Sequence, residues 1–385
     1  MLKNDFILEK GYFHIITGPN GTGKSRMLTK HSELTLEKIK KEDKTYSKMI
    51  CLAGTVYERF KVPSQDQFNY NYCYLGQKTN NNMFSELAPY RNLFKVFFQD
   101  YNNETTYNKK CELINKLFEQ VGFDGFIGVR LRKTRVKKEN KKNMNEDKKK
   151  EGNNKFHRIF FSKEKIFNSS ISSLQKALLG NKYFISDITF KKGENEYNLN
   201  DLSSGERSIL LMILGLTLII EDDCIIFYDE PENSMHPKWQ EEIMFFLQQI
   251  IKLSSNITVV IATHSPLVVS NVTVSNKKII TLGEEDSNWK NCSNNSNIED
   301  TLYKVFNKIT PKSYLLSVEI SKIVKGMLDG QISKRDAINK LDSFRSAGID
   351  HIQKNVIDNV ISNLDFIKNK LNTEKANYEY THKKR

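Results

Sequence analysis

The chain has 385 residues, with 59 Lys+Arg against 46 Asp+Glu and a formal net charge of +13. About 38% of it is apolar, and the stretches 209–220 and 258–262 are almost unbroken, which excludes disorder throughout and allows a sizeable core. With 18 Gly and 7 Pro it is too poor in turn residues for a loop-rich all-β protein, and its five scattered cysteines, with no CxxC, exclude a disulfide scaffold or zinc ribbon.

Residues 1–10 lack the apolar region of a signal peptide. The run 209–220 is too short to span a bilayer and ends in Glu221, Asp222 and Asp223. A cytoplasmic chain without membrane contact is the expectation. Short apolar runs at 6–8 and 12–17 read as strands, followed by a helix over about 24–41 and a buried strand at 49–53. Tyr70, Tyr72 and Tyr74 recur at the strand period, on a half-buried strand or as a stacking face. From 84 to about 123 the pattern is helical.

Residues 129–158 stand apart, with 13 Lys/Arg against 4 Asp/Glu, a net +9 that holds most of the chain's excess charge. They read as a disordered basic insert, either a solvated loop or a nucleic-acid contact through phosphates. A strand candidate at 185–190 comes next, and from the Ser203 region onward strands at 224–228 and 257–262 alternate with helices, the sign of a parallel sheet covered on both faces. The last ~85 residues read as helices, one with Leu316, Ile320, Ile323 and Met327 on its apolar face, another with Ile352, Val356, Val360 and Leu364. Four segments follow: 1–83, 84–183 as a helical insertion with the basic loop, 184–283, and 284–385.

Residues 18–25, Gly-Pro-Asn-Gly-Thr-Gly-Lys-Ser, match GxxxxGK[ST], the loop whose backbone N–H groups curl round phosphates at a helix N-terminus. Gly18, Asn20, Gly21 and Gly23 shape that cradle, Lys24 would reach the β- and γ-phosphates, and Ser25 would ligate Mg²⁺. Residues 224–230 form an apolar strand ending in Asp229 and Glu230. The first carboxylate suits the metal and the second a water-activating base.

These motifs, in this order, resemble an ABC-type P-loop ATPase. Leu202-Ser203-Ser204-Gly205-Glu206 looks like the signature loop, and His264 in Thr-His-Ser-Pro looks like the switch histidine. Ser203 with Glu206 also reads as a capping box. Gln77, 53 residues after Lys24, suits a Q-loop or an ordinary turn. Asp-Glu-Pro-Glu at 229–232, followed by His236-Pro237, is similar to the OLD-type ATPases, near the SMC/RecF branch.

The resemblance covers about a third of the chain and implies an α/β core that hydrolyses ATP with Mg²⁺. It further implies a homodimer or higher oligomer sandwiching ATP, with Ser203, Ser204, Gly205 and Glu206 acting in trans. No TOPRIM nuclease pattern follows residue 282. The chain therefore resembles stand-alone anti-phage ATPases (Septu-like, retron-associated, PARIS-like) that regulate a separate nuclease or toxin. A RecF/SMC-like DNA-binding or repair ATPase, and a scaffold that merely binds ATP, are the alternatives.

Overall fold

The computed structural model describes residues 7–63, 71–80, 83–100, 104–134, 154–161, 167–180, 182–283, 288–291, 298–306, 308–310, 313–347 and 349–382. The chain divides into two compact units, Met1–Asn294 and Asn295–Arg385.

The first unit is built on a seven-stranded sheet. Its members are β1 (Phe13–Thr17), β2 (Met49–Ala53), β3 (Tyr72–Leu75), β10 (Ile225–Asp229), β11 (Thr258–Ala262), β12 (Lys277–Thr281) and β13 (Lys290–Asn291). They lie in the order β13-β12-β1-β11-β10-β2-β3, parallel except for the β12–β13 pair. Strands β1, β10 and β11 are buried at every residue, as a sheet covered on both faces requires. Helix α1 (Lys24–Lys40) packs Met27, Leu28, Leu36 and Ile39 against Cys51, Phe227 and Val260.

Two strands of a small hairpin, β4 (Lys78–Asn80) and β5 (Met83–Phe84), lead to α2 (Ala88–Asp100) and α3 (Glu104–Gln120). A second sheet follows, made of β6 (Phe126–Lys133), β7 (Asn154–Phe160), β8 (Tyr183–Lys192) and β9 (Asn195–Asn198), antiparallel in the order β7-β6-β8-β9, with α4 (Phe167–Leu179) between β7 and β8. Helix α5 (Ser204–Ile219) is buried at nearly every position from Ile209 onward and receives α2, α3 and α6 (Pro237–Ile251). Helix α7 (Pro266–Ser270) closes the unit's helical set.

The second unit holds α8 (Ile298–Lys304), α9 (Tyr314–Leu328), α10 (Lys334–Ser343) and α11 (His351–His382). Leu316, Ile320, Ile323 and Met327 of α9 share a core with Leu341, Phe344, Ile357 and Leu364. Ser313 and Ser333 cap α9 and α10 by accepting the N–H of Leu316 and Asp336.

Several expectations need correction. The basic insert is not a disordered loop throughout. Residues 126–133 and 154–160 are paired strands, because Ile127, Val129, Leu131 and Ile159 alternate with charged residues and bury one face. The middle of the insert, 135–153, lies outside the described residues. Segment 84–183 is therefore not purely helical, and the strand candidate at 185–190 is part of β8 in the antiparallel sheet. Residues 7 and 8 form no strand, and Phe6 lies outside the described residues.

Tyr72 and Tyr74 are buried, with Cys73 and Leu75 between them also buried, so they neither alternate in exposure nor offer a stacking face; Tyr70 lies outside the described residues. On α11 the buried face is Gln353, Ile357 and Leu364, while Ile352 and Val356 are exposed. The amide of Gln353 fixes that rotation by donating to Thr310 O at 2.6 Å.

Candidate functional site

The glycine loop lies between the end of β1 and α1. Gly18, Gly21 and Gly23 all have positive φ, at 138°, 83° and 98°, the region where a side chain is strained. At Gly18 a Cβ would also come within 2.4 Å of Leu282 O. The loop is tied by Thr22 Oγ1, which donates to Pro19 O at 2.8 Å. Lys24 is 5% exposed, and its ammonium donates to Gly18 O at 3.1 Å and Pro19 O at 3.3 Å. Asn20 is exposed on the rim of the loop.

β10 delivers its carboxylates to the same end of the sheet, because a parallel sheet places the carboxyl ends of its strands together. Ser25 Oγ donates to Asp229 Oδ1 at 3.0 Å. Burial pushes the Asp229 carboxyl up to about 6. Ser25 and Lys24 pull it down, and Glu58 and Glu232 push it further up. Glu230 sits at φ 47°, and its N–H donates to Ala262 O at 2.8 Å. This left-handed residue lies directly after the strand, where it turns the chain sharply. Gly54 permits that turn, since a Cβ there would lie 2.0 Å from Glu230 O. Glu230 Oε1 is 3.8 Å from Lys24 Nζ, and Oε2 is 2.5 Å from His264 Nδ1. His264, after β11, is half exposed.

Glu232 was not singled out as a site residue on sequence grounds, yet it organises the cluster. It is 4% exposed. Its Oε1 accepts from Thr263 Oγ1 at 2.6 Å and from the N–H groups of His264 and Ser265, both at 3.0 Å. The same oxygen lies 3.2 Å from His264 Nδ1. Burial, then the neighbouring Glu230, push its carboxyl well above the usual range. Its sequence signal is its place as the second Glu of Asp-Glu-Pro-Glu at 229–232. Glu58 was missed as well. It is fully buried, accepts from Tyr74 Oη and pairs with Lys78 at 3.3 Å. No sequence motif marks it.

Ser203, Ser204, Gly205 and Glu206, expected as a signature loop, stand elsewhere. Ser203 caps α5 in a reciprocal box: Ser203 N donates to Glu206 Oε2 at 2.9 Å, and Glu206 N donates to Ser203 Oγ at 3.3 Å. Ser203 and Ser204 are exposed, while Gly205 is buried under the Trp239 ring, where a Cβ would sit 3.0 Å from a ring carbon. The structure does not gather these residues into the Ser25–Asp229–Glu230–His264 cluster. Gln77 lies in a bend after β3 and lines a cavity of about 250 Å³ with Ser204, Arg207 and Asn233. His236 is a helix cap: its Nδ1 accepts the N–H of Lys238 ahead of Pro237 at the start of α6. Among the described residues no helix is long and apolar enough to cross a membrane.

Over 122 residues the chain is 32% identical to "Retron Vc95 probable ATPase" of Vibrio cholerae serotype O1 biovar El Tor, an alignment covering 29% of this chain and 23% of that protein. The matched part thus spans less than a quarter of the relative's length. Among solved structures, cbiO1 from Clostridium perfringens, part of the ABC transporter complex cbiONQ, aligns at 12% identity and a TM-score of 0.30, over 71% of this chain and 74% of its own. A nucleotide-free ATP-binding cassette from an ABC transporter aligns at 14% identity and a TM-score of 0.28, over 71% and 78%. A family model described as "AAA domain, putative AbiEii toxin, Type IV TA system" matches residues 71–270, from β3 through α7, so that it takes in Asp229, Glu230, Glu232 and His264 and begins after the glycine loop. Because that match covers more than half of the chain, the protein belongs to this family of AAA-domain proteins, with an α/β core that carries the glycine loop at 18–25.

Proposed function

We propose that the chain binds and hydrolyses ATP, and that ATP-dependent dimerisation regulates a partner effector, a nuclease or toxin, in anti-phage defence in the cytoplasm. One observation carries the chemical part: residues from the ends of β1, β10 and β11 converge, with Ser25 bonded to Asp229 and Glu230 held between Lys24 and His264. The N–H groups of 18–25 and the Lys24 ammonium are suited to phosphate oxygens. The Ser25 hydroxyl and the Asp229 carboxylate are hard oxygen donors of the kind Mg²⁺ takes, and they would hold it. When bound, the ion would neutralise charge on the phosphates.

In this reading the chain's own residues do the rest. Glu230 accepts a proton from the attacking water at a carboxylate oxygen. His264 holds the other oxygen through Nδ1, which donates when Glu230 is ionised, and Glu232 fixes the His264 backbone. Ser203, Ser204, Gly205 and Glu206 are exposed or form a helix N-terminus, and in an ATP-sandwich dimer they act on the nucleotide of the second copy. The retron relative supports the defence assignment of this proposal.

The test measures phosphate release and solution mass together. The wild type should turn over ATP, and Glu230→Gln should bind ATP, stop turning it over and become dimeric only with nucleotide. A wild-type chain that binds ATP without hydrolysis or change of mass would sink the enzyme reading. Purification from the native host should bring down a nuclease or toxin, and its absence in both nucleotide states would sink the effector reading.

A further inference from the structure

The antiparallel sheet β7-β6-β8-β9 buries Ile127, Val129, Leu131, Ile159 and Ile188 on one face. Its other face carries Arg130, Arg132, Phe156, Arg158, Phe160 and Phe184. The register places Arg130 opposite Phe156, and Arg132 opposite Phe184, so these side chains alternate across neighbouring strands. The three phenylalanines are 38%, 42% and 39% exposed. Large rings left open on a sheet are unusual unless something covers them.

The rings are already prepared for stacking. The Arg130 and Arg158 guanidinium groups lie 5.9 Å and 4.9 Å from the centre of the Phe156 ring, and Arg91 lies 5.7 Å from that of Phe184. Beneath them is Gly128, where a Cβ would come within 2.6 Å of the Phe156 ring, so the ring lies close over bare backbone. Phe160 packs on the buried Phe126 at 5.1 Å. Phe156 and Phe160 are four residues apart on one strand, about 13 Å. Charge on the face is one-sided. Arg130, Arg132 and Arg158, with Arg91 of α2 beside Phe184, stand against Asp187, whose carboxylate accepts from Ile188 N, and Glu196, 3.8 Å from Arg158 in an exposed pair. Exposed pairs of this kind contribute little and exchange readily for another anion.

We infer that this face binds single-stranded nucleic acid, with bases stacked on Phe156, Phe160 and Phe184 and phosphates held by the arginines. A sheet that alternates aromatic rings and cations offers π-faces to unpaired bases and positive charge to the backbone joining them. A duplex hides its base faces and would reach only the cations. An apolar protein partner would leave the arginines without counter-charge.

The test uses the full chain and a fluorescein-labelled 20-nucleotide poly(dT) strand, read by anisotropy across a salt series, with a duplex of the same length as comparison. Phe156→Ala should weaken binding about tenfold, and Phe156→Tyr, which keeps the ring, should restore it. Arg130→Ala/Arg158→Ala should weaken it further and reduce the salt slope by roughly 0.7 per arginine lost. ATP binding by each variant reports that the fold is intact. Lys24→Ala should leave the strand bound, so failure of this inference and failure of the ATP reading appear in different measurements. Equal affinity for strand and duplex, variants that bind like the wild type, or Phe156→Ala changing the solution mass instead of the anisotropy would overturn it.

Discussion

The two sheets of the first unit use polar and aromatic groups in opposite ways. In the seven-stranded sheet, charged groups are driven inside. Asp229 and Glu232 are 2% and 4% exposed, Lys24 is 5% exposed, and each has bonded or charged neighbours within reach. In the four-stranded sheet the core is apolar, and Phe156, Phe160, Phe184 and the arginines lie outside. A buried charge is costly unless paired, so its neighbours are fixed by folding itself. An exposed ring makes no such demand, and what uses it must come from outside the chain. Substitutions should therefore act on both folding and chemistry in the first sheet, and on the outer face of the second chiefly on what that face binds.

The largest effect expected is on chemistry. Under the proposed function, Glu230→Gln keeps size and hydrogen bonding but removes the proposed base, and should lower ATP turnover by about 10²–10³-fold with nucleotide binding retained. Next comes Glu232→Ala, which strips Thr263 Oγ1 and the N–H groups of His264 and Ser265 of their acceptor. Leaving buried donors unpaired should cost about 3 kcal/mol in urea unfolding, and Glu232→Gln, which still accepts, about 1 kcal/mol. If Glu232→Ala unfolds like the wild type while turnover collapses, burial at this site serves chemistry alone and the contrast between the sheets narrows.

A pH titration sharpens the same contrast. His14 in β1 is fully buried, and burial holds its pKa down at about 4. The unfolded imidazole binds its proton near pH 6.5. The depressed value means stability present above about pH 6.5 and lost progressively as pH falls toward 4. Replacement by Phe should flatten that part of the stability curve, measured as the urea midpoint between pH 7 and pH 4. His157, on β7, is also lowered by burial, with Lys155 adding, but it is less enclosed, and His157→Phe should flatten the curve less.

How much of this was legible from sequence follows from the same physics. The glycine loop, the apolar strand before Asp229 and the capping box of Ser203 and Glu206 are local: the residues that form each are neighbours in the chain, so spacing reveals them. Glu232 and Glu58 act across 31 and 16 positions, on Thr263 and Tyr74, and only the fold brings them there. The Phe–Arg face was hidden for another reason. Its strands flank the Lys-rich stretch 135–153, and in the composition of the whole insert the alternation at 126–133 and 154–160 was diluted below notice.

The smallest expected effect separates the two regions most cleanly, because it holds residue type constant. Phe227 in β10 is fully buried in the parallel sheet, and Phe227→Ala should cost about 3–5 kcal/mol through lost burial and an unfilled cavity. Phe184 in β8 is 39% exposed, contacts Arg91 at 5.7 Å and lies opposite Arg132. Substitution at a half-exposed strand position falls within a propensity range of about 1 kcal/mol, and Phe184→Ala should stay inside it. A thermal melt of both variants decides the matter. Comparable losses would make the outer rings structural, part of the packing of the second sheet. A loss confined to Phe227 leaves Phe184 with no folding role large enough to account for a ring held open to solvent beside two guanidinium groups, and assigns that ring to whatever the sheet meets.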